Sequence, residues 1–153
     1  MPRMTLIAVG RARRGPEQQL FEHYAARLAE PLAVREVSEK SGRSADERKR
    51  LEGEKLLAAV PKGARVVVLD ERGKNLSSSD LADLLGAWRD GGVGDIAFLV
   101  GGADGVDRPV RDRADLVLSL GAMTWPHMMV RGMLAEQLFR AQCILGNHPY
   151  HRE

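Results

Sequence analysis

The chain has 153 residues and a formal net charge of only +2, which suits one globular domain with its own core and excludes a generic polycationic nucleic-acid binder. Apolar residues make up 44% and charged residues 29%, too apolar for a disordered chain, and no apolar run reaches the ~20 residues needed to span a bilayer. The apolar run at 4–9 gives way to Arg11, Arg13 and Arg14 where a cleavage site would stand, and the lone Cys143 excludes an internal disulfide or a cysteine-built zinc centre, so a cytoplasmic protein with no membrane anchor is expected.

Residues 4–9 read as a buried strand closed by Gly10. Gly15-Pro16 opens a helix, proline suiting its first position, with Leu20, Tyr24 and Leu28 along one face. Residues 32–37 alternate and predict a second strand, followed by a polar loop over 38–43. Ser44 and Glu47 form a capping box for a helix to about Val60, weakened at its middle by Gly53. After the turn Pro61-Lys62-Gly63, the β-branched run 65–69 is a third strand, and a polar loop is expected over 70–76. The segment 77–80 caps a helix whose Leu81, Leu84, Leu85 and Trp88 repeat at helical spacing until Gly91-Gly92. A fourth strand at 95–100 runs into Gly101-Gly102-Ala103-Asp104-Gly105. A short helix over 108–113, a fifth strand at 116–119 and a loop at 120–126 precede a long helix over 127–146. Val130, Met133, Leu134, Leu138, Ala141, Ile144 and Leu145 form its apolar stripe, and a polar tail, 147–153, closes the chain.

Strands alternating with helices imply an α/β fold: a mostly parallel sheet of five to six strands with helices on both faces. Ligands of such sheets sit outside the carboxyl ends of the strands, which selects three segments together, 69–74, 101–105 and 119–126.

Each motif there has a structural and a functional reading. Gly101-Gly102-x-x-Gly105 can be a tight turn or a ligand cradle; its spacing is not that of a dinucleotide fingerprint, and no phosphate-binding P-loop exists. Residues 121–126, Gly-Ala-Met-Thr-Trp-Pro, can pack Met123 and Trp125 into the core or hold a flat, partly apolar ligand such as an adenine. The tail His148-Pro-Tyr-His-Arg-Glu153 can be frayed, or can contact RNA through the Arg152 guanidinium and a stacking Tyr150. Cys143, His148, His151 and Glu153 lack a paired ligand motif, so no metal is expected. His127 reads as a cap or core histidine, and Glu136 with Arg140 as a surface i,i+4 pair. No hydrolytic triad, zinc-protease motif or carboxylate dyad is visible.

Charge is unevenly placed. Residues 1–65 carry 14 basic and 9 acidic side chains, residues 66–153 carry 9 and 12, and arginine outnumbers lysine 18 to 5. Arginine's planar fork suits phosphate. The run Arg48-Lys49-Arg50 is either a solvated helix face or part of a nucleic-acid footprint.

Four ordered motifs carry a family resemblance: 98–106 (FLVGGADGV), 118–127 (LSLGAMTWPH), 134–141 (LAEQLFRA) and 147–153 (NHPYHRE), with 6–10 and 68–74 in support. Over its whole length the chain resembles the 23S rRNA pseudouridine N3-methyltransferases (the RlmH family) of the SPOUT superfamily. The resemblance implies one domain over 1–153 with the tail 147–153, a C-terminal trefoil knot that general topology rules disfavour, and a homodimer. It implies S-adenosylmethionine as cofactor, held by Leu69, Gly101, Gly102, Gly105 and Gly121, Ala122, Met123, Thr124, Trp125 and Pro126. It implies a tail that completes the partner subunit's site, with His148, Tyr150 and Arg152 in catalytic roles and His151 and Arg152 toward substrate. Gly121 stands where serine is frequent, Trp125 where phenylalanine or leucine is, and Phe139 where tyrosine is.

The implied reaction is methylation of N3 of a pseudouridine in large-subunit rRNA, expected on the assembled ribosome because the small net charge suits a shaped target. Positioning and electrostatics would then be the protein's task, with no metal and no single general base. The rival readings are a SPOUT methyltransferase for another RNA such as tRNA, a non-catalytic ribosome- or RNA-binding protein, and a nucleotide sensor.

Overall fold

A computed structural model describes residues 1–39 and 44–152. The elements are β1 (Arg3–Val9), α1 (Pro16–Ala25), β2 (Leu32–Val37), α2 (Ala45–Ala58), β3 (Arg65–Asn75), α3 (Ser78–Asp90), β4 (Asp95–Val100), α4 (Arg108–Arg113), β5 (Leu116–Ser119) and α5 (His127–Leu145). The five strands form one sheet in the order β2-β1-β4-β3-β5. Every neighbouring pair is parallel, so all strand carboxyl ends lie on one edge. Four of the expected strands and the helices they alternate with stand where the sequence places them, to within a few residues; part of the loop expected over 38–43 lies outside the described residues.

Side-chain alternation divides the core into two layers. Leu6, Val67, Phe98 and Leu118 face α1, α3 and α5, whereas Ile7, Val66, Val68 and Leu99 face α2 and α4. Both faces of the central strands are covered, which is why β4 reads as a continuous apolar run. Edge strand β2 buries little beyond Leu32, and Val34 is exposed.

The helix starts follow local chemistry. The Ser44 hydroxyl accepts from the Glu47 N–H at 3.1 Å and that of Ser77 from the Asp80 N–H at 3.0 Å, each satisfying an otherwise orphan donor. Gly53 is buried, since a Cβ there would lie 2.7 Å from Asp107 Oδ1 of the segment leading into α4.

Two expectations need correcting. The inner face of α1 is built on Phe21, with Leu28 buried just beyond the helix end, while Leu20 is 38% exposed; it instead touches α5 at Gly132, where a Cβ would come within 2.8 Å of Leu20 Cδ2. The loop expected over 70–76 is mostly strand, because β3 bulges after Leu69 and then resumes pairing with β5 at Lys74 and Asn75. Polar sequence concealed it: after the bulge only the backbone of Lys74 and Asn75 is in the ladder.

Asp115 anchors β5 beside β3. Its carboxylate accepts from the Val66 N–H at 2.8 Å and from Arg65 Nη1 at 3.2 Å, and Arg113 lies at 3.4 Å. Burial pulls its pKa upward, but these donors prevail and hold it below the ordinary carboxylate range. A lowered pKa stabilises the fold above about pH 4, and that contribution is lost as pH falls through the folded-state value. Asp115→Asn is therefore expected to destabilise the protein at pH 7 by about 1–2 kcal/mol. The gap to wild type should close below about pH 4 in thermal unfolding.

Candidate functional site

The carboxyl ends of β3, β4 and β5 feed the three segments that the sheet argument selects. After Leu69, the bulge carries Asp70, Glu71 and Arg72 out of the sheet. The Asp70 side chain is only 6% exposed and is paired with Arg72, whose N–H also donates to Oδ1 at 2.9 Å. Burial pushes its pKa up, yet the Arg72 guanidinium and N–H, with the field of Arg111, keep it below the usual carboxylate range. Asp70 is thus a fixed negative charge at neutral pH.

The segment after β5 is tied to this bulge. The Ser119 hydroxyl reaches the carbonyls of Glu71 at 3.1 Å and Gly121 at 2.9 Å and accepts from the Gly121 N–H at 3.0 Å. The Thr124 hydroxyl donates to the Glu71 carboxylate at 3.0 Å. Gly121 has φ +118°, a conformation that favours glycine. The glycine stands where a serine side chain would be strained.

After β4, the Gly105 N–H donates to the Gly102 carbonyl at 3.0 Å, closing a tight turn. A Cβ at Gly101 would lie 2.7 Å from the Gly105 carbonyl oxygen, so the turn and the exposed backbone are one device. Behind Gly102 lies Glu52 of α2. It is 7% exposed, its Oε2 has no hydrogen-bond partner among the described residues, and a Cβ on Gly102 would meet that oxygen at 2.9 Å. Burial, then the negative charge of Asp104 and Glu39, push the Glu52 carboxyl up against the pull of Arg48.

The three segments wall one cavity of about 760 Å³. Of the ten expected cofactor residues, Leu69, Gly101, Gly102, Gly105, Gly121, Met123, Thr124, Trp125 and Pro126 line it, and Ala122 does not. Met123 is 75% and Trp125 38% exposed, which overturns the reading that they pack into the core. His127 and Val130 at the start of α5 also line the cavity, as do Asp70, Asp104 and Lys49. The first two were hidden by position: a helix start next to a loop reads as a cap. The basic run of α2 resolves as a solvated face, since Arg48 pairs with Asp104, Lys49 with Asp46 and Arg50 with Glu54.

The tail stands apart from this cavity. The Tyr150 hydroxyl donates to Glu136 Oε1 at 3.0 Å, and its ring meets Phe139 edge-on at 4.7 Å. Arg140 binds the same Glu136 oxygen at 2.6 Å, lies over the Tyr150 ring at 4.8 Å and reaches His151 Nδ1 at 3.2 Å. Glu136 and Arg140 are therefore the half-buried hub of a clasp, not a surface pair. The hydrogen bond with Tyr24, burial and Glu136 together raise the Tyr150 phenol, so it stays protonated. His148 and Arg152 are exposed. Among the described residues no group of three or more histidine, cysteine, aspartate or glutamate side chains is placed to hold a metal ion, and no helix is long and apolar enough to cross a membrane.

Glu52 supplies a test of the wall. A raised carboxyl pKa leaves a burial penalty that is absent below the unfolded value, near pH 4.3, and grows as pH rises through the folded value. Glu52→Gln is expected to raise the thermal midpoint at pH 7.5, with the gain fading toward pH 4. A midpoint lowered at pH 7.5, with the loss fading toward pH 4, would show that the charged form is the one the fold needs.

Comparison with known proteins places this geometry. The family model described as "Predicted SPOUT methyltransferase" matches residues 2–151. A protein of Rhodospirillum centenum named "Ribosomal RNA large subunit methyltransferase H" is 59% identical over 150 residues, covering 98% of this chain and 99% of that one. Its namesake from Paramagnetospirillum magneticum is 55% identical with the same coverage. A probable methylase family protein from Haemophilus influenzae shares the fold, with a TM-score of 0.59 at 13% identity over 99% of this chain and 71% of that one. Spanning nearly the whole chain, and with an all-parallel sheet whose carboxyl-end loops close one cavity, these matches make the protein a member of the SPOUT methyltransferase family.

Proposed function

We propose that the protein methylates N3 of a pseudouridine in large-subunit rRNA, using S-adenosylmethionine, on the assembled ribosome and as a homodimer. One observation carries the reading: in a chain whose full-length relatives are named for large-subunit rRNA methylation, three post-strand loops enclose a single cavity.

The wall suits that cofactor. A volume of about 760 Å³ falls within the ~300–1,000 Å³ of small-molecule sites. Leu69, Leu118, Leu120 and Val130 offer an apolar slot for a base, and the glycines at 101, 102, 105 and 121 leave main-chain groups uncovered. Asp70 adds a fixed negative charge suited to a cation. When bound, S-adenosylmethionine supplies a methyl group already activated by its sulfonium.

The chain's own work is then positioning. Residues 101–102 and 121–126 hold the cofactor mainly by backbone groups. Arg152 of the tail fixes a phosphate or stabilises the negative charge that develops on the base when N3 gives up its proton. His148 orients the base, Tyr150 positions the tail that carries it through the hydrogen bond it donates to Glu136, and solvent takes the proton. Because the tail lies off its own subunit's cavity, Arg152 and His148 serve the site of a second subunit. The trefoil knot belongs to the same reading. In its support, a Cβ on Gly73 would lie 2.5 Å from the Val117 carbonyl oxygen, so the bulge of β3 packs tightly, backbone against backbone, on the chain of β5.

Methyl transfer from labelled S-adenosylmethionine should label assembled ribosomes, and neither free large-subunit rRNA nor ribosomes lacking pseudouridine. Label on tRNA alone would replace this reading with the rival RNA substrate, and cofactor binding without any transfer would favour the sensor. Arg152→Ala is expected to cut transfer roughly 100-fold with cofactor affinity unchanged in calorimetry; equal loss of both would end the division of roles. Sedimentation at micromolar concentration should give a dimer, and a monomer would refute the shared site.

A further inference from the structure

Ten arginines of this protein are matched with carboxylates, and the others are scattered except at one place. Arg3, Arg48, Arg50, Arg65, Arg72, Arg89, Arg108, Arg113, Arg131 and Arg140 each pair with a carboxylate. Arg11, Arg13 and Arg14, on the loop between β1 and α1, are exposed and have no carboxylate partner among the described residues. Three unpaired guanidiniums within four residues repel one another, and a soluble surface gains nothing from holding them together unless an anion joins them.

This loop is also held in place. The Gly10 N–H donates to the Val37 carbonyl at 2.9 Å. Arg131 of α5, only 2% exposed, donates to Glu36 Oε2 at 2.7 Å and to the Gly10 carbonyl at 3.1 Å. The Ala12 N–H donates to the same Glu36 oxygen. The backbone is thus fixed at residues 10 and 12, and the side chains at 11, 13 and 14 are turned outward. Gly10 abuts the cavity's rim, since a Cβ there would lie 3.7 Å from Nε2 of His127, a residue of the cavity wall.

We infer that this clamped loop is a phosphate-docking surface: Arg11, Arg13 and Arg14 grip the RNA backbone beside the cavity and hold the target nucleotide at its mouth. The partner's identity rests on the rRNA reading above; the loop's geometry does not. Guanidinium forks match phosphate oxygens in pairs, and a pre-fixed loop loses little entropy on binding. An RNA reaching the cavity meets these arginines on one side.

The test compares two triple variants of the full-length protein. Arg11→Gln/Arg13→Gln/Arg14→Gln removes the loop cluster. Arg50→Gln/Arg89→Gln/Arg108→Gln removes the same charge from exposed, already paired positions. Binding to purified ribosomes is measured across a salt series, with S-adenosylmethionine affinity by calorimetry in parallel. The loop variant is expected to bind ribosomes at least tenfold more weakly at 100 mM salt. Its slope of log affinity against log salt should be shallower by about 2–3, near one per lost phosphate contact. The paired-site variant should keep the wild-type slope, and both should keep the wild-type cofactor affinity. A loop variant with wild-type affinity and slope, or an equal loss in both variants, overturns the inference. Wild-type protein that binds ribosomes through the loop yet transfers no methyl group leaves the docking surface standing and removes the rRNA methylation reading. Wild-type protein that binds no ribosomes but does bind anionic phosphatidylserine vesicles overturns both.

Discussion

Strand β3 pairs with β5 twice, and the cavity exists because of it. Val67, Val68 and Leu69 lie against 116–118, the chain then leaves the sheet for four residues, and Lys74 and Asn75 return to Leu118 and Ser119. Two ladder segments on one partner force the intervening residues into an arch over the sheet's carboxyl edge. That arch carries Asp70 and Glu71, and Ser119 and Thr124 bind it from the other side. The return brings backbone close against backbone at Gly73, where a Cβ would overlap the Val117 carbonyl oxygen at 2.5 Å. Parallel pairing elsewhere in the sheet sets only which edge is the ligand edge. The arch turns that edge into a walled site.

The second organising constraint is charge. With a net charge of +2, the molecule has little long-range attraction for a polyanion, and most of its arginines are neutralised locally by carboxylates on the same or a neighbouring element. What remains is positional. Arg131 is buried while its partner Glu36, 2.7 Å away, reaches solvent, and a buried guanidinium is costly unless its donors are satisfied. Gly10 and Ala12 satisfy part of that demand and are fixed in return. A pair that adds little to stability therefore sets the path of the loop between β1 and α1.

Much of the fold was legible because its signals are local. Apolar runs at β1, β3 and β4, caps at Ser44 and Ser77, and glycine stops all act within a few residues. The ligand edge followed from strand alternation alone, and nine of the ten residues expected around the cofactor do line the cavity. Features that needed partners distant in sequence were illegible. The strand character of 74–75 depends on β5, some 44 residues later. Glu52 reads as an ordinary solvent-facing helix residue until Gly102 is brought against it. Arg131 sits in register with Leu134 and Leu138 on the inner face of α5, so a charged residue in an apolar stripe was the available sign of a buried clamp.

The tail shows how composition and geometry diverge. Histidines, a tyrosine and an arginine in six residues suggest a reactive cluster, yet the described tail is organised around Glu136, which binds Arg140 and Tyr150 through one oxygen. Arg140 stacks on the tyrosine ring while it satisfies the carboxylate, so removing any one member leaves the others with an unmatched polar group or an uncovered ring. Phe139 fits this clasp without a hydroxyl, because its contacts with Tyr24 and Tyr150 are ring against ring. The clasp spends the tyrosine's hydrogen-bonding capacity inside the subunit and leaves His148 and Arg152 on the outer surface. A tail built this way is anchored to α5 at Tyr150 and exposed at Arg152, so the proposed contact of that guanidinium with a second subunit needs no rearrangement of the clasp.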